Sequence, residues 1–235
     1  MTIQRAMLLA AGFGKRLQPL TNNVPKPLIP LDGKRLIDFA LEYLAKGGVK
    51  EVMINLHHLG DHIETYVGDG YRYRLRISYS HEKVILGTGG GIKRAAPFFN
   101  HEPFICLNAD TLINYDLKKL LAHHMTQKAD ATMVIRPLQP HDPFQAVTLN
   151  EQGTVTGFQS KGDYFYTGLQ VIGPKLVELL PAAGQPSCLI NDGYIPLLRS
   201  NGKVASCIHT GYWNDLGTLE RYEQAKKDFA QKKIK

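Results

Sequence analysis

A chain of 235 residues with 43% hydrophobic and 21% charged residues has the length and composition of one α/β domain with a sizeable core, which excludes a disordered or fibrous chain. The formal net charge is +7, but residues 226–235 hold five Lys against one Asp and supply +4 of it, as lysines at a solvated helix end do, and the modest remainder suits anionic substrates better than nucleic acid. Cys106, Cys188 and Cys207 lack C-x-x-C spacing and read as reduced packing residues, while no apolar run reaches a membrane span and no signal-peptide pattern opens the chain, so a cytoplasmic protein with no membrane contact is expected.

Residues 3–10 make the first strand, and the apolar run that begins at Met7 reads as buried. Ala10, Ala11, Gly12 and Gly14 then let a loop pass close to a bound phosphate. Arg16 and Lys26 follow in a segment stiffened by Pro19, Pro25, Pro27 and Pro30, which disfavours regular helix between about residues 17 and 30. A dinucleotide fingerprint would need Gly at position 17, which is Leu, and a P-loop would need Ser or Thr at position 16, which is Arg; both patterns fail. Leu36, Phe39, Ala40, Tyr43 and Leu44 recur at helical spacing up to Gly47-Gly48, and residues 51–56 and 59–67 repeat the strand and helix. These βαβ units place ligands at the C-terminal strand edges, where Asn55 lies as a nucleotide contact.

Residues 75–80 read as another strand. The glycine-rich run at 86–92 then leads into a helix at 93–99, and Thr88, Gly89 and Gly90 are placed to offer backbone N–H groups to a base or phosphate. The apolar strand at 104–107 ends in Asn108-Ala109-Asp110, where an acid is either a turn cap or a ligand. After a helix at 117–125, residues 131–136, 145–149, 154–158 and 165–172 have the look of short antiparallel strands, with Lys161 and Gly168 among them. Residues 191–200 read as a helix with Ile195, Leu197 and Leu198 inward, and residues 203–208 as a strand. Trp213 and Leu216 then bracket Asp215 before a final helix from Thr218 to about residue 231.

Taken together, Gly12, Gly14, Arg16, Pro19, Thr21, Pro25, Lys26 and Pro27 resemble the signature of sugar-1-phosphate nucleotidyltransferases, and the similarity extends over nearly the whole chain. The resemblance implies a Rossmann-like α/β fold: an open mixed, mostly parallel sheet with helices on both faces and a smaller antiparallel sugar-binding region. It implies a single domain, with residues up to about 115 binding nucleotide and those from about 116 binding sugar phosphate. It further implies Arg16, Lys26, Asp110 and Asp215 as catalytic residues, Asp110 and Asp215 as ligands of Mg²⁺, and Asn108, Lys161 and Gly168 near the sugar phosphate. Ser160 stands where many members of the family have Glu. The reactants would be a nucleoside triphosphate and a sugar 1-phosphate. T-G-G-G-I at 88–92 and G-T-L-E-R at 217–221 resemble the branch acting on UTP and N-acetylmuramate 1-phosphate in cell-wall recycling. Leu86-Gly87-Thr88-Gly89 also resembles guanylyltransferases for mannose or heptose 1-phosphates. A non-catalytic nucleotide-sugar sensor would be expected to lack one of the four charged residues, and all four are present. Oligomeric state is not readable from the chain.

Overall fold

The computed structural model describes residues 3–139 and 142–233. After β1 (Arg5–Leu9) the proline-rich stretch makes two single 3-10 turns, Lys15–Leu17 and Lys26–Leu28, each too short to be regular helix. A small hairpin of β2 (Pro30–Leu31) and β3 (Lys34–Arg35) leads into α1 (Leu36–Lys46), β4 (Glu51–Leu56), α2 (Gly60–Val67) and β5 (Arg76–His81). The middle of the chain holds α3 (Gly87–Phe99), β6 (Phe104–Asn108), β7 (Thr111–Ile113) and α4 (Leu117–Gln127). Then come β8 (Ala131–Pro137), β9 (Ala146–Leu149), β10 (Val155–Gln159), β11 (Tyr164–Ile172), α5 (Pro174–Leu179), a π-helical turn at Leu189–Tyr194, α6 (Ile195–Arg199), β12 (Val204–Ile208), β13 (Trp213–Asp215) and α7 (Leu219–Ala230).

Two compact units divide these elements. The first comprises Gln4–Ile85, Leu107–Tyr115 and Gly211–Lys235, so the C-terminal helix returns to the N-terminal part of the chain. Within it β1, β4 and β5 are parallel neighbours, with Leu9 opposite Asn55 and Asn55 opposite Ser80, the ladder that right-handed βαβ crossovers produce. Helix α1 starts where the Asp38 carboxylate accepts from the Arg35 amide at 2.7 Å, a cap for an otherwise orphaned N–H. Its buried face is Leu36, Ile37, Ala40, Leu41 and Leu44, turned from the expected one so that Phe39 and Tyr43 sit at its margin. Leu17, Ile29, Leu31, Leu36, Leu112, Leu216, Tyr222 and Ala225 form one hydrophobic cluster. That cluster fastens the proline-rich stretch, β7 and α7 together, and such burial is the main favourable term holding irregular segments in place.

The second unit comprises Met1–Ile3, Leu86–Cys106 and Asp116–Thr210. β8, β9, β10 and β11 pair antiparallel as expected, while β12 joins β8 in parallel. The register of β11 against β8 shifts between Tyr166 and Gln170, around Gly168 with its φ of 92°, a backbone angle open to glycine. Leu197 is fully buried on α6, and Ile195 and Leu198 are half-buried.

Helix α3 begins at Gly87, six residues before the expected start. Gly87, Gly89 and Gly90 lie close against the 185–189 segment: a β-carbon on Gly90 would come within 2.5 Å of the Gln185 carbonyl oxygen. The Gly89 and Gly90 amides donate to the Ser187 carbonyl at 3.0 and 3.4 Å, and the Thr88 hydroxyl accepts from the Leu189 amide at 3.0 Å. These glycines therefore serve a close helix-to-segment packing. Cys106 and Cys207 are buried, and burial pushes the Cys106 thiol up to about 12, so it stays protonated. Cys188 is exposed, which corrects its expected role as a packing residue. No helix among the described residues is long and apolar enough to cross a membrane.

Candidate active site

The expected catalytic quartet falls entirely within the first unit. At the end of β1 the chain turns through Ala10 and Ala11, both buried, into the exposed Gly12. The Ala10 amide donates to Asn55 Oδ1 at 2.9 Å, and Asn55 Nδ2 donates to Glu82 Oε1 at 2.8 Å. Glu82 is held in turn by its amide on the Leu56 carbonyl and by its carbonyl on His57 Nδ1 at 2.8 Å. Asn55 is only 2% exposed. Its amide group holds the start of the loop against the end of the neighbouring strand. Asn55→Ala removes the side-chain acceptor of the buried Ala10 amide and one donor to the Glu82 carboxylate. It should lower stability by about 2 kcal/mol, read as a lower urea midpoint with an unchanged slope.

Gly14 has φ of 66°, the left-handed region that favours glycine. A β-carbon there would lie 2.9 Å from Thr21 Cγ2 and 3.1 Å from Lys26 Cβ. The Thr21 hydroxyl donates to the Gly14 carbonyl at 3.0 Å. One contact thus accounts for the spacing of Gly14, Thr21 and Lys26 in the sequence: the loop closes on itself and fixes where the Lys26 side chain leaves the backbone. Pro25 starts the turn that carries Lys26 and is itself buried. The Lys26 ammonium then forms an ion pair with Asp110.

Asp110 and Asp215 are far apart in the chain and are brought together by the β7–β13 hairpin-like pair. Asp215 lies opposite Thr111 in the antiparallel register, and the Leu216 amide donates to the Asp110 carbonyl at 2.9 Å. The Ala109 amide donates to the Leu9 carbonyl at 3.0 Å, which ties this pair to the end of β1 and hence to the loop of Gly12 and Gly14. Asp215 forms an ion pair with Arg221. Arg16, exposed on the first 3-10 turn, also reaches this place: a β-carbon on Gly217 would meet Arg16 Nη2 at 3.1 Å and Asp215 Oδ2 at 3.2 Å. Two carboxylates at one site repel unless a cation stands by each. Here Lys26 stands by Asp110, and Arg221 stands by Asp215.

Asn108 ends β6, half-buried, two residues before Asp110. Thr88, Gly89, Gly90, Lys161 and Gly168 belong to the second unit, with Lys161 exposed in the turn between β10 and β11. The contacts of two residues of the first unit escape a reading of the sequence by motif. Glu82, 4% exposed, gives no signal beyond its place just past a strand. Arg221 does give one: a cation in the first turn of a helix opposes the helix dipole, so its presence there points to an anionic partner.

Whether this geometry suits a divalent metal can be judged from its donors. Asp110 and Asp215 offer hard carboxylate oxygens from adjacent backbone positions, both partly open to solvent at 27% and 20% side-chain exposure, and each already carries a counter-ion. Such a pair fits Mg²⁺.

The family model described as nucleotidyl transferase matches residues 5–232. A UTP–glucose-1-phosphate uridylyltransferase from Synechocystis is 32% identical over 98% of this chain, and the match spans 64% of that relative's length. An N-acetylmuramate α-1-phosphate uridylyltransferase from Neisseria meningitidis is 32% identical, covering 94% of this chain and 96% of the relative. A D-glycero-α-D-manno-heptose 1-phosphate guanylyltransferase from Aneurinibacillus thermoaerophilus is 29% identical, covering 95% and 97%. Among solved structures, HddC from Yersinia pseudotuberculosis complexed with GMP-PN superposes with a TM-score of 0.83 at 24% identity, covering 97% of this chain and all of that one, a likeness of fold. With the family model running almost end to end and the glycine loop, the cations and the paired aspartates all in one unit, the chain belongs to the nucleotidyl transferase family.

Proposed function

We propose that the protein transfers a nucleoside monophosphate from a nucleoside triphosphate to a sugar 1-phosphate with release of pyrophosphate, and that its preferred pair is UTP and N-acetylmuramate 1-phosphate. The observation that carries the reaction class is the convergence of Arg16, Lys26, Asp110 and Asp215 in one unit beside the loop of Gly12 and Gly14. In this reaction an oxygen of the sugar phosphate bonds to the α-phosphorus while the bond to the bridging oxygen of pyrophosphate breaks. No protein nucleophile is needed, so the protein's contribution is positioning and charge neutralisation. Lys26 would hold the α-phosphate and the attacking sugar phosphate against each other, two anions that repel without it. Arg16 would take up the charge that grows on the β- and γ-phosphates as they leave. Asp110 and Asp215 would hold Mg²⁺, which supplies Lewis-acid charge at the α-phosphate.

The uridylyl and muramate reading is supported by T-G-G-G-I at 88–92, by G-T-L-E-R at 217–221 and by the near end-to-end match to the Neisseria relative. A second reading, a guanylyltransferase for mannose or heptose 1-phosphate, is favoured by Leu86-Gly87-Thr88-Gly89 and by an equally complete match to the heptose relative. Peptidoglycan recycling in the cytoplasm is the setting that accompanies the first reading. A matrix of UTP, dTTP, GTP, CTP and ATP against several sugar 1-phosphates, with pyrophosphate release as readout, separates them. The highest kcat/KM is expected for UTP with N-acetylmuramate 1-phosphate. Faster turnover with GTP and a mannose-type phosphate would replace the first reading by the second.

A further inference from the structure

Arg221 is held more firmly than an ordinary surface arginine. Its amide donates to the hydroxyl of Thr218, the N-cap of α7, at 3.3 Å. Its carbonyl accepts from Asn214 Nδ2 at 3.1 Å. Its guanidinium lies 5.9 Å from the centre of the Trp213 ring, within the range of a cation–π contact, and pairs with Asp215. The residue is thus fastened at both polar atoms of its backbone, and its head is laid on the residue two before the carboxylate it meets. It occupies the first turn of α7, where the helix dipole opposes a cation. The guanidinium itself is placed by the Trp213 ring and the Asp215 carboxylate, and this pairing offsets the unfavourable helix dipole at its position.

We infer that Arg221 is a positioning residue that reserves Asp215: it keeps the carboxylate oriented in the nucleotide-free protein and must yield it before a divalent metal can be bound there. The inference rests on the proposed reading of Asp215 as a metal ligand. Its consequence is an order of events. A free divalent ion competes poorly against a guanidinium already paired with Asp215, whereas an ion that arrives with a triphosphate brings further oxygen ligands, and the phosphates offer Arg221 a new anionic partner. The pair is partly solvated, with 24% and 20% side-chain exposure, so the exchange does not need the fold to open.

The test is Mn²⁺ binding to the nucleotide-free protein, followed by electron paramagnetic resonance. Arg221→Met and Arg221→Gln should each bind Mn²⁺ about tenfold more tightly than the parent protein, since the competing cation is gone. Arg221→Lys, which retains a cation, should stay close to the parent. A gain in the Met and Gln variants that is absent in the Lys variant assigns the effect to the competing charge. If the folded Met or Gln variant binds Mn²⁺ no better than the parent, the inference is overturned. The double variant with Asp215→Asn separates the two layers: it should erase the gain, and a gain that persists would place the metal elsewhere and overturn the reading of Asp215 itself.

Discussion

Lys26→Ala is expected to lower kcat by about a hundredfold or more, with KM for either substrate changing far less. That is the signature of a charge whose interaction strengthens in the transition state. The structure explains why its position is sharp. The side chain is 12% exposed, it leaves a turn begun by the buried Pro25, and its β-carbon packs against the Gly14 loop. Its ammonium rests on Asp110, so the charge is already oriented before substrate arrives and little reorganisation is left for the reaction. Steady-state kinetics over both substrates measure this directly. A variant with raised KM and an unchanged kcat would make Lys26 a binding residue only.

The second large effect is expected at the aspartates. Asp110→Asn and Asp215→Asn should each cut turnover at saturating Mg²⁺ by about a hundredfold or more, comparable to loss of an electrostatic contact to the transition state. Mutual repulsion of the two carboxylates alone would lead one to expect unchanged or higher metal-free stability in these variants. The ion pairs to Lys26 and Arg221 reverse that sign. Each substitution now removes a partner from a cation, and because the pairs are partly exposed the cost is about 1 kcal/mol, a fall of a few degrees in Tm. Near-normal turnover with an unchanged magnesium titration in Asp215→Asn would reduce Asp215 to a turn residue.

The parts of the site that lie close together in the chain were legible from the residues. Gly14, Thr21 and Lys26 are neighbours in sequence because they are neighbours in space, and prolines mark the stretch as irregular. Strands β1, β4 and β6 and helices α1 and α7 announced themselves by period and by their glycine or threonine ends. Contacts made over long separations were not legible. Helix α3 starts early because the 185–189 segment, about a hundred residues away, accepts its glycine amides, and intrinsic propensity argues against four glycines in five residues opening a helix. The Asn55 side chain is held by Glu82, which follows the neighbouring strand β5. β12 joins β8 in parallel through a pairing that spans some seventy residues. The meeting of Asp110 with Asp215 needed the family resemblance, because nothing in either stretch alone distinguishes a metal ligand from a cap.

The reaction itself is tested most directly by following label from the triphosphate. With UTP labelled at the α-phosphate and, separately, at the γ-phosphate, and with N-acetylmuramate 1-phosphate and Mg²⁺ present, the α label is expected in the sugar nucleotide and the γ label in pyrophosphate. Neither transfer should proceed when the sugar phosphate is left out. Label recovered on the protein, or released as inorganic phosphate at a rate indifferent to any sugar 1-phosphate, would contradict a direct nucleotidyl transfer.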